Sequence, residues 1–125
     1  MAQPRLAWLS ALVLLLTGVV AASPPDEGDY LFHAAGCLAC HTPENGEPIA
    51  GGRAFDTPFG VFYAPNITPD KETGIGSWSR TDFITALKHG RSPDGDAYYP
   101  VFPYPSYRLM SDADAGSLYL VDEDN

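Results

Sequence analysis

The stretch Cys37-Leu38-Ala39-Cys40-His41 is the most informative part of this 125-residue sequence. It contains both cysteines of the chain, and two residues separate them. A histidine, the commonest metal-binding side chain, follows the second cysteine directly. The chemistry of these five residues therefore decides what the rest of the chain must surround.

The pattern C-x-x-C-H is the attachment signature of c-type haem. Two thiols at this spacing can add to the two vinyl groups of one haem, and the histidine that follows can then coordinate the iron. Cys37, Cys40 and His41 are therefore predicted to bind one covalent haem c per chain, with His41 as an iron ligand.

Three other roles for the two cysteines are weaker. A thioredoxin-like redox motif needs a βαβ context, and the sequence shows none. A four-ligand zinc site needs a second pair of ligands, and His33 and His89, the other two histidines, are not paired in the sequence. A disulfide between Cys37 and Cys40 remains compatible with an oxidising compartment.

The second axial position of the iron is predicted to be filled by Met110. It is the only methionine after the first residue, and a thioether is a common axial ligand in cytochromes c. The alternative is that Met110 fills a gap in the apolar core. His89 is the rival ligand, although its place at the end of a helix is typical of a cation near the negative end of the helix dipole.

Residues 1–22 are predicted to be a signal peptide, with the functional domain spanning residues 23–125. Arg5 precedes an apolar run that ends in small residues at 20–23, as in secretory leaders. The alternative is an uncleaved membrane anchor. Export to the periplasm agrees with the cysteine motif, because haem attachment of this kind follows export. An exported protein could also be bound peripherally to the inner membrane.

The charge of the chain limits its partners. The formal net charge is −9, so the surface repels phosphate backbones, which excludes nucleic acid as a partner. A redox protein with a basic docking patch is the expected partner. Twelve prolines and twelve glycines rule out a continuous helical structure.

Local patterns predict three helices separated by irregular segments. The first spans residues 26–36, the second lies between an N-cap at Ser79 and a terminating Gly90, and the third begins at Ser111. Residues 42–78 show no convincing periodicity, and residues 98–105 are predicted to be extended because three prolines fall within six positions.

Beyond the cysteine motif, the chain resembles the class I c-type cytochromes, and more closely the haem domains in cytochrome subunits of membrane-bound alcohol and gluconate dehydrogenases. The resemblance lies above all in residues 64–78 (APNITPDKETGIGSW). The other stretches that carry it are Gly51-Gly52-Arg53, Pro58-Phe59-Gly60, His89-Gly90, Asp94-Gly95, residues 99–104 (YPVFPY) and Met110-Ser111-Asp112. It implies a small all-α fold, in which three or so short helices and long loops wrap around haem. It also implies that Cys37 and Cys40 attach the haem, His41 is the proximal ligand and Met110 the distal one.

The function expected on this basis is one-electron transfer from a dehydrogenase towards the respiratory chain. Iron with both axial positions filled has no open site for a small-molecule substrate, and the sequence shows no evident catalytic acid, base or nucleophile. The alternative is a haem enzyme or a gas-binding sensor, in which the sixth iron position is open or Met110 is easily displaced.

Overall fold

The computed structural model describes residues 26–119. Its elements follow the order α1 (Glu27–Ala34), α2 (Cys37–His41), β1 (Ala54–Thr57), β2 (Gly60–Tyr63), α3 (Arg80–His89), a 3₁₀ helix (Tyr104–Tyr107) and α4 (Asp112–Ser117). The predicted signal peptide lies outside the described residues, as does any continuation of the third predicted helix beyond residue 119. Among the residues described, no helix is long and apolar enough to cross a membrane.

The first predicted helix is divided in two. Asp26 caps α1 by accepting a hydrogen bond from the backbone N–H of Gly28 at 3.1 Å. Helix α1 ends at Ala34, because Gly36 has a left-handed backbone with φ of 78°. Glycine adopts this conformation at little steric cost, so the chain turns here and starts α2 at Cys37 in a new direction.

Helix α3 has the boundaries predicted from its caps. The Ser79 hydroxyl accepts a hydrogen bond from the N–H of Asp82 at 3.1 Å, and the Asp82 carboxylate accepts one from the N–H of Ser79 at 2.9 Å. This reciprocal pair is a capping box. At the other end Gly90 adopts the left-handed conformation that ends many helices.

A two-stranded antiparallel sheet corrects the prediction of a purely all-α fold. Strands β1 and β2 lie within the stretch predicted to be irregular, and Phe55 pairs with Phe62 across them. The Thr57 hydroxyl closes the turn between the strands by donating to the carbonyl of Gly60 at 2.7 Å. Each strand has only four residues, which is too short to give a clear alternating pattern.

The segment predicted to be extended between residues 98 and 105 is turned instead. The Phe102 N–H donates to the carbonyl of Tyr99 at 3.1 Å, and the 3₁₀ helix begins at Tyr104. Pro105 is accommodated because it lies near the start of that helix, where its missing N–H has no partner to lose. The prolines therefore restrict the chain without straightening it.

A small apolar cluster joins the helices. Helix α1 packs against α2 and α4, and α3 packs against α4 and the 3₁₀ helix. The buried members of this core cluster are Phe32, Leu87, Ala115 and Leu118. Because Ala115 of α4 and Leu118, which follows α4, join the residues of α1 and α3 in this cluster, the N-terminal and C-terminal parts of the described chain share one core.

Gly28 allows α1 and α4 to approach closely. A Cβ atom at this position would lie 2.3 Å from the backbone carbonyl oxygen of Ser117. We expect Gly28→Ala to lower the free energy of unfolding of the haem-containing protein by about 1 kcal/mol or more, because overpacking outweighs the gain in helix propensity. Denaturant unfolding measures this change.

Gly116→Ala is the matched comparison for that prediction. Gly116 is also a buried helical glycine, but an added Cβ would meet the end of the Arg80 side chain, which can move away. The loss of stability should therefore be smaller than for Gly28→Ala. A Gly28→Ala protein more stable than the wild type would contradict the close approach of the two helices.

Candidate haem-binding site

Helix α2 holds three of the four predicted site residues. Cys37 is its first residue, Cys40 lies one turn later and His41 is its last residue. Both cysteines are free thiols with half-buried side chains. Burial raises the pKa of the Cys37 thiol to about 11, so this thiol is protonated at neutral pH. One short helix thus presents two thiols and an imidazole together.

The imidazole of His41 is held by a backbone carbonyl. Its Nδ1 lies 2.8 Å from the carbonyl oxygen of Pro65. Since a carbonyl can only accept a hydrogen bond, Nδ1 carries the proton and Nε2 keeps a free lone pair. Burial also lowers the pKa of His41, and the bond to Pro65 offsets only part of that effect. A neutral imidazole oriented through its other nitrogen is the usual form of a metal-binding histidine.

The position of Pro65 depends on a ladder of backbone hydrogen bonds that continues from β1 and β2 towards α2. The N–H of Gly52 donates to the carbonyl of Ala64 at 2.7 Å, and the N–H of Gly51 donates to the carbonyl of His41 at 2.7 Å. Gly51 has φ of 78°, and a Cβ there would lie 2.5 Å from the carbonyl carbon of Pro65. Only glycine fits this approach, so Gly51 lets the ladder bring Pro65 against His41.

Arg53 makes a second contact between this ladder and α2. Its guanidinium group donates a hydrogen bond to the backbone carbonyl of Ala39, between the two cysteines. The same group lies 5.8 Å from the centre of the Phe55 ring, within range of a cation–π interaction. Arg53, which directly precedes β1, therefore holds the backbone of α2 between the two thiols.

Met110 reaches the same apolar cluster as Cys37. Its half-buried side chain packs against the core cluster, as do the side chains of Cys37 and Leu38. Its N–H donates to the carbonyl of Tyr107 at 3.0 Å, which places Met110 just after the 3₁₀ helix. The fold therefore brings the predicted second ligand back to the end of the molecule that carries the cysteine motif.

Tyr107 lies between Met110 and the motif. Its hydroxyl donates to the carbonyl of Ala35 at 2.9 Å. Burial raises the pKa of Tyr107, and Cys37 and Cys40 raise it further. Nothing in the sequence distinguishes Tyr107 from the chain's other tyrosines.

The two remaining histidines have other surroundings. The Nδ1 atom of His33 lies 2.9 Å from the carbonyl oxygen of Asp29 on the same helix, and 58% of its side chain is exposed. His89 is exposed at the end of α3, next to Lys88, whose hydrogen bond and charge lower the pKa of Asp112. Within residues 26–119, no group of three or more His, Cys, Asp or Glu side chains is placed to hold a metal ion.

Apolar side chains around the site suit a large planar apolar group. Leu109, next to Met110, is 99% exposed. Several half-buried side chains pack against the core cluster and leave part of their surface uncovered: Leu31, Ala35, Leu38, Ile49, Ile67, Phe83, Ile84 and Phe102. With Cys37 and Met110 on this cluster, and Cys40 and the neutral imidazole of His41 on the same short helix as Cys37, the residues fit a covalently attached haem.

The chain is similar in sequence to cytochrome c subunits of dehydrogenases and to a diheme cytochrome. It is 51% identical over 92 residues to the gluconate 2-dehydrogenase cytochrome c subunit of Pantoea cypripedii, which covers 74% of this chain and 21% of that protein. It is 39% identical over 120 residues to the alcohol dehydrogenase (quinone) cytochrome c subunit of Gluconobacter oxydans, covering 92% and 25%. It is 43% identical over 96 residues to a diheme cytochrome c-type protein of Cereibacter sphaeroides, covering 73% and 32%.

These matches cover most of this chain but only part of each relative. The chain spans between 21% and 32% of the length of the three proteins. No family model matches it. Over the matched segment, the chain is a homologue of the cytochrome c subunits of gluconate and alcohol dehydrogenases.

Proposed function

We propose that this chain carries one covalently bound haem c and transfers single electrons without catalysing a reaction of its own. One observation carries the proposal. Helix α2 presents two free thiols and a histidine whose Nδ1 donates to the carbonyl of Pro65 at 2.8 Å. The Nε2 atom of His41 is thereby left as an oriented ligand for iron.

Each site residue then has a distinct task. The thiols of Cys37 and Cys40 form thioether bonds to the haem, while Pro65 holds the imidazole of His41 in one orientation. Met110 supplies a neutral sulfur, which favours ferrous iron and raises the reduction potential. When bound, the haem supplies an iron that alternates between the ferric and ferrous states.

The electron donor in this proposal is a dehydrogenase, and the electrons pass on towards the respiratory chain. Two of the relatives are named as cytochrome c subunits of dehydrogenases. A protein of this kind accepts electrons from a partner and needs no substrate-binding iron position of its own. The carrier role therefore requires only docking and electron transfer.

The charge of the chain supports a partner with a basic docking patch. A formal net charge of −9 creates a field that attracts a positively charged surface and speeds encounter at low salt. The proposed setting is the periplasm. In this proposal, residues 1–22 direct the chain to the periplasm, and residues 23–125 form the cytochrome domain there.

Carbon monoxide tests this function against an enzyme or gas sensor with an open iron position. The wild-type ferrous protein should not bind carbon monoxide at low concentration, because Met110 occupies the sixth position. Met110→Ala should bind it readily, lose the ferric absorption feature of thioether ligation and have a lower reduction potential. Optical titration and spectroelectrochemistry measure all three changes.

Arg108→Ala is the control for the Met110 substitution. Arg108 is exposed two positions before Met110, and its guanidinium group has no hydrogen bond or ion pair with the described residues. This variant should keep the wild-type spectrum. Carbon monoxide binding by the wild type, with an unchanged spectrum in Met110→Ala, would show that Met110 is not the ligand and would favour the open-site alternative.

A further inference from the structure

We propose that Tyr107 is a positioning residue that sets the location of Met110 relative to the haem-attachment helix. The inference rests on the proposed function, because it assumes that Met110 is an iron ligand. Its basis is the hydrogen bond from the Tyr107 hydroxyl to the carbonyl oxygen of Ala35, 2.9 Å long, between residues 72 positions apart.

The acceptor of this bond, the Ala35 carbonyl oxygen, is held by α1 close to the cysteine motif in sequence. Ala35 is the C-cap of α1, and its N–H donates to the carbonyl of Leu31 at 2.8 Å. Carbonyl groups at the end of a helix lack partners within the helix, so the Ala35 carbonyl is free to accept from Tyr107. Ala35 lies only two residues before Cys37, with the left-handed Gly36 between them.

The donor residue is coupled to Met110 through the backbone. The carbonyl of Tyr107 accepts the N–H of Met110 at 3.0 Å, so the two residues are joined by one closed turn. The Tyr107 ring is half-buried, and its centre lies 6.1 Å from that of Phe102. Tyr107, held through its hydroxyl, its ring and its backbone, thus connects the end of α1, two residues before Cys37, to the predicted sulfur ligand.

The residues that follow Met110 in the chain are anchored to α3 instead. Ser111 caps α4 by accepting from the N–H of Asp114 at 3.0 Å. The Asp112 carboxylate pairs with the Lys88 ammonium group of α3, whose side chain is 13% exposed. The residues after Met110 are therefore tied to α3, whereas Tyr107 ties the residues before it to the end of α1. Loss of the Tyr107 hydroxyl should release only one of the two anchors.

Tyr107→Phe tests the inference, since it keeps the ring and removes the hydrogen bond. Covalent haem content should not change. Imidazole added to the ferric protein should displace Met110 more easily, with a dissociation constant on the order of five-fold lower, because a hydrogen bond that favours the Met-bound arrangement is lost. The reduction potential should fall, and the ferric absorption feature of thioether ligation should weaken.

Tyr104→Phe is the matched control. Tyr104 belongs to the same 3₁₀ helix, and its hydroxyl makes no hydrogen bond with the described residues. This variant should keep the wild-type imidazole affinity and potential. The inference is overturned if Tyr107→Phe behaves like Tyr104→Phe, or if it lowers the melting temperature without changing imidazole affinity or potential.

The proposed function fails in a different way. If Met110 is not a ligand, the wild type and Met110→Ala will have the same ferric spectrum and the same imidazole affinity. If the wild type shows thioether ligation and Met110→Ala loses it, the function stands, and the comparison of Tyr107→Phe with Tyr104→Phe decides the role of Tyr107 alone.

Discussion

A variant with both Cys37→Ala and Cys40→Ala should contain no covalently bound haem. These are the only two cysteines in the chain, and both are free thiols on the same short helix. With neither sulfur present, no thioether bond can form. A haem stain after denaturing electrophoresis and the mass of the intact chain both measure the attachment.

The single variants Cys37→Ala and Cys40→Ala are the internal controls. Each leaves one thiol beside His41, so each should keep a smaller amount of attached haem. Their yields also show whether the export and attachment machinery accepts the altered chain. A double variant that still stains for haem after denaturation would mean that attachment does not depend on the C-x-x-C-H motif.

The second large effect is on folding: without haem, the chain should be largely unfolded in water. Among residues 26–119, the core cluster has four buried members, and the longest helix has ten residues. Helices of this length are marginal on their own. A cofactor that binds only the folded chain adds its binding free energy to the stability, so the haem should act as the centre of the core.

The double cysteine variant, purified free of haem, supplies the protein for this measurement. Far-ultraviolet circular dichroism should show low helicity and no cooperative thermal transition, whereas the haem-containing wild type should unfold cooperatively. A haem-free wild-type chain, made without the attachment machinery, separates the effect of the cofactor from that of the substitutions. A cooperative transition of haem-free protein close to that of the holoprotein would contradict the prediction.

The features predicted correctly from the sequence depend on neighbouring residues. Ser79 and Asp82 define the start of α3, and Gly90 defines its end. A capping box and a left-handed terminal glycine each involve residues within one turn of one another. Such signals are visible in the sequence because the tertiary structure is not needed to bring them together.

The strands and the division of the first helix were not predicted, for different reasons. The pairing of Phe55 with Phe62 needs a tight turn within a segment rich in proline and glycine, and four-residue strands give a weak alternation. The predicted helix includes Gly36, because the sequence of a single glycine does not reveal its φ. Its left-handed conformation, with φ of 78°, becomes visible only in the folded chain.

The sequence by itself determined which groups are available to attach and ligate a haem, because the roles predicted for Cys37, Cys40 and His41 rest on their spacing along a few residues. Only the tertiary structure decided how these groups are held. The bond from His41 to the Pro65 carbonyl spans 24 positions, and the bond from Tyr107 to the Ala35 carbonyl spans 72. Both acceptors are backbone carbonyl groups, which every residue possesses, so their selection depends on the path of the folded chain rather than on the identity of any side chain.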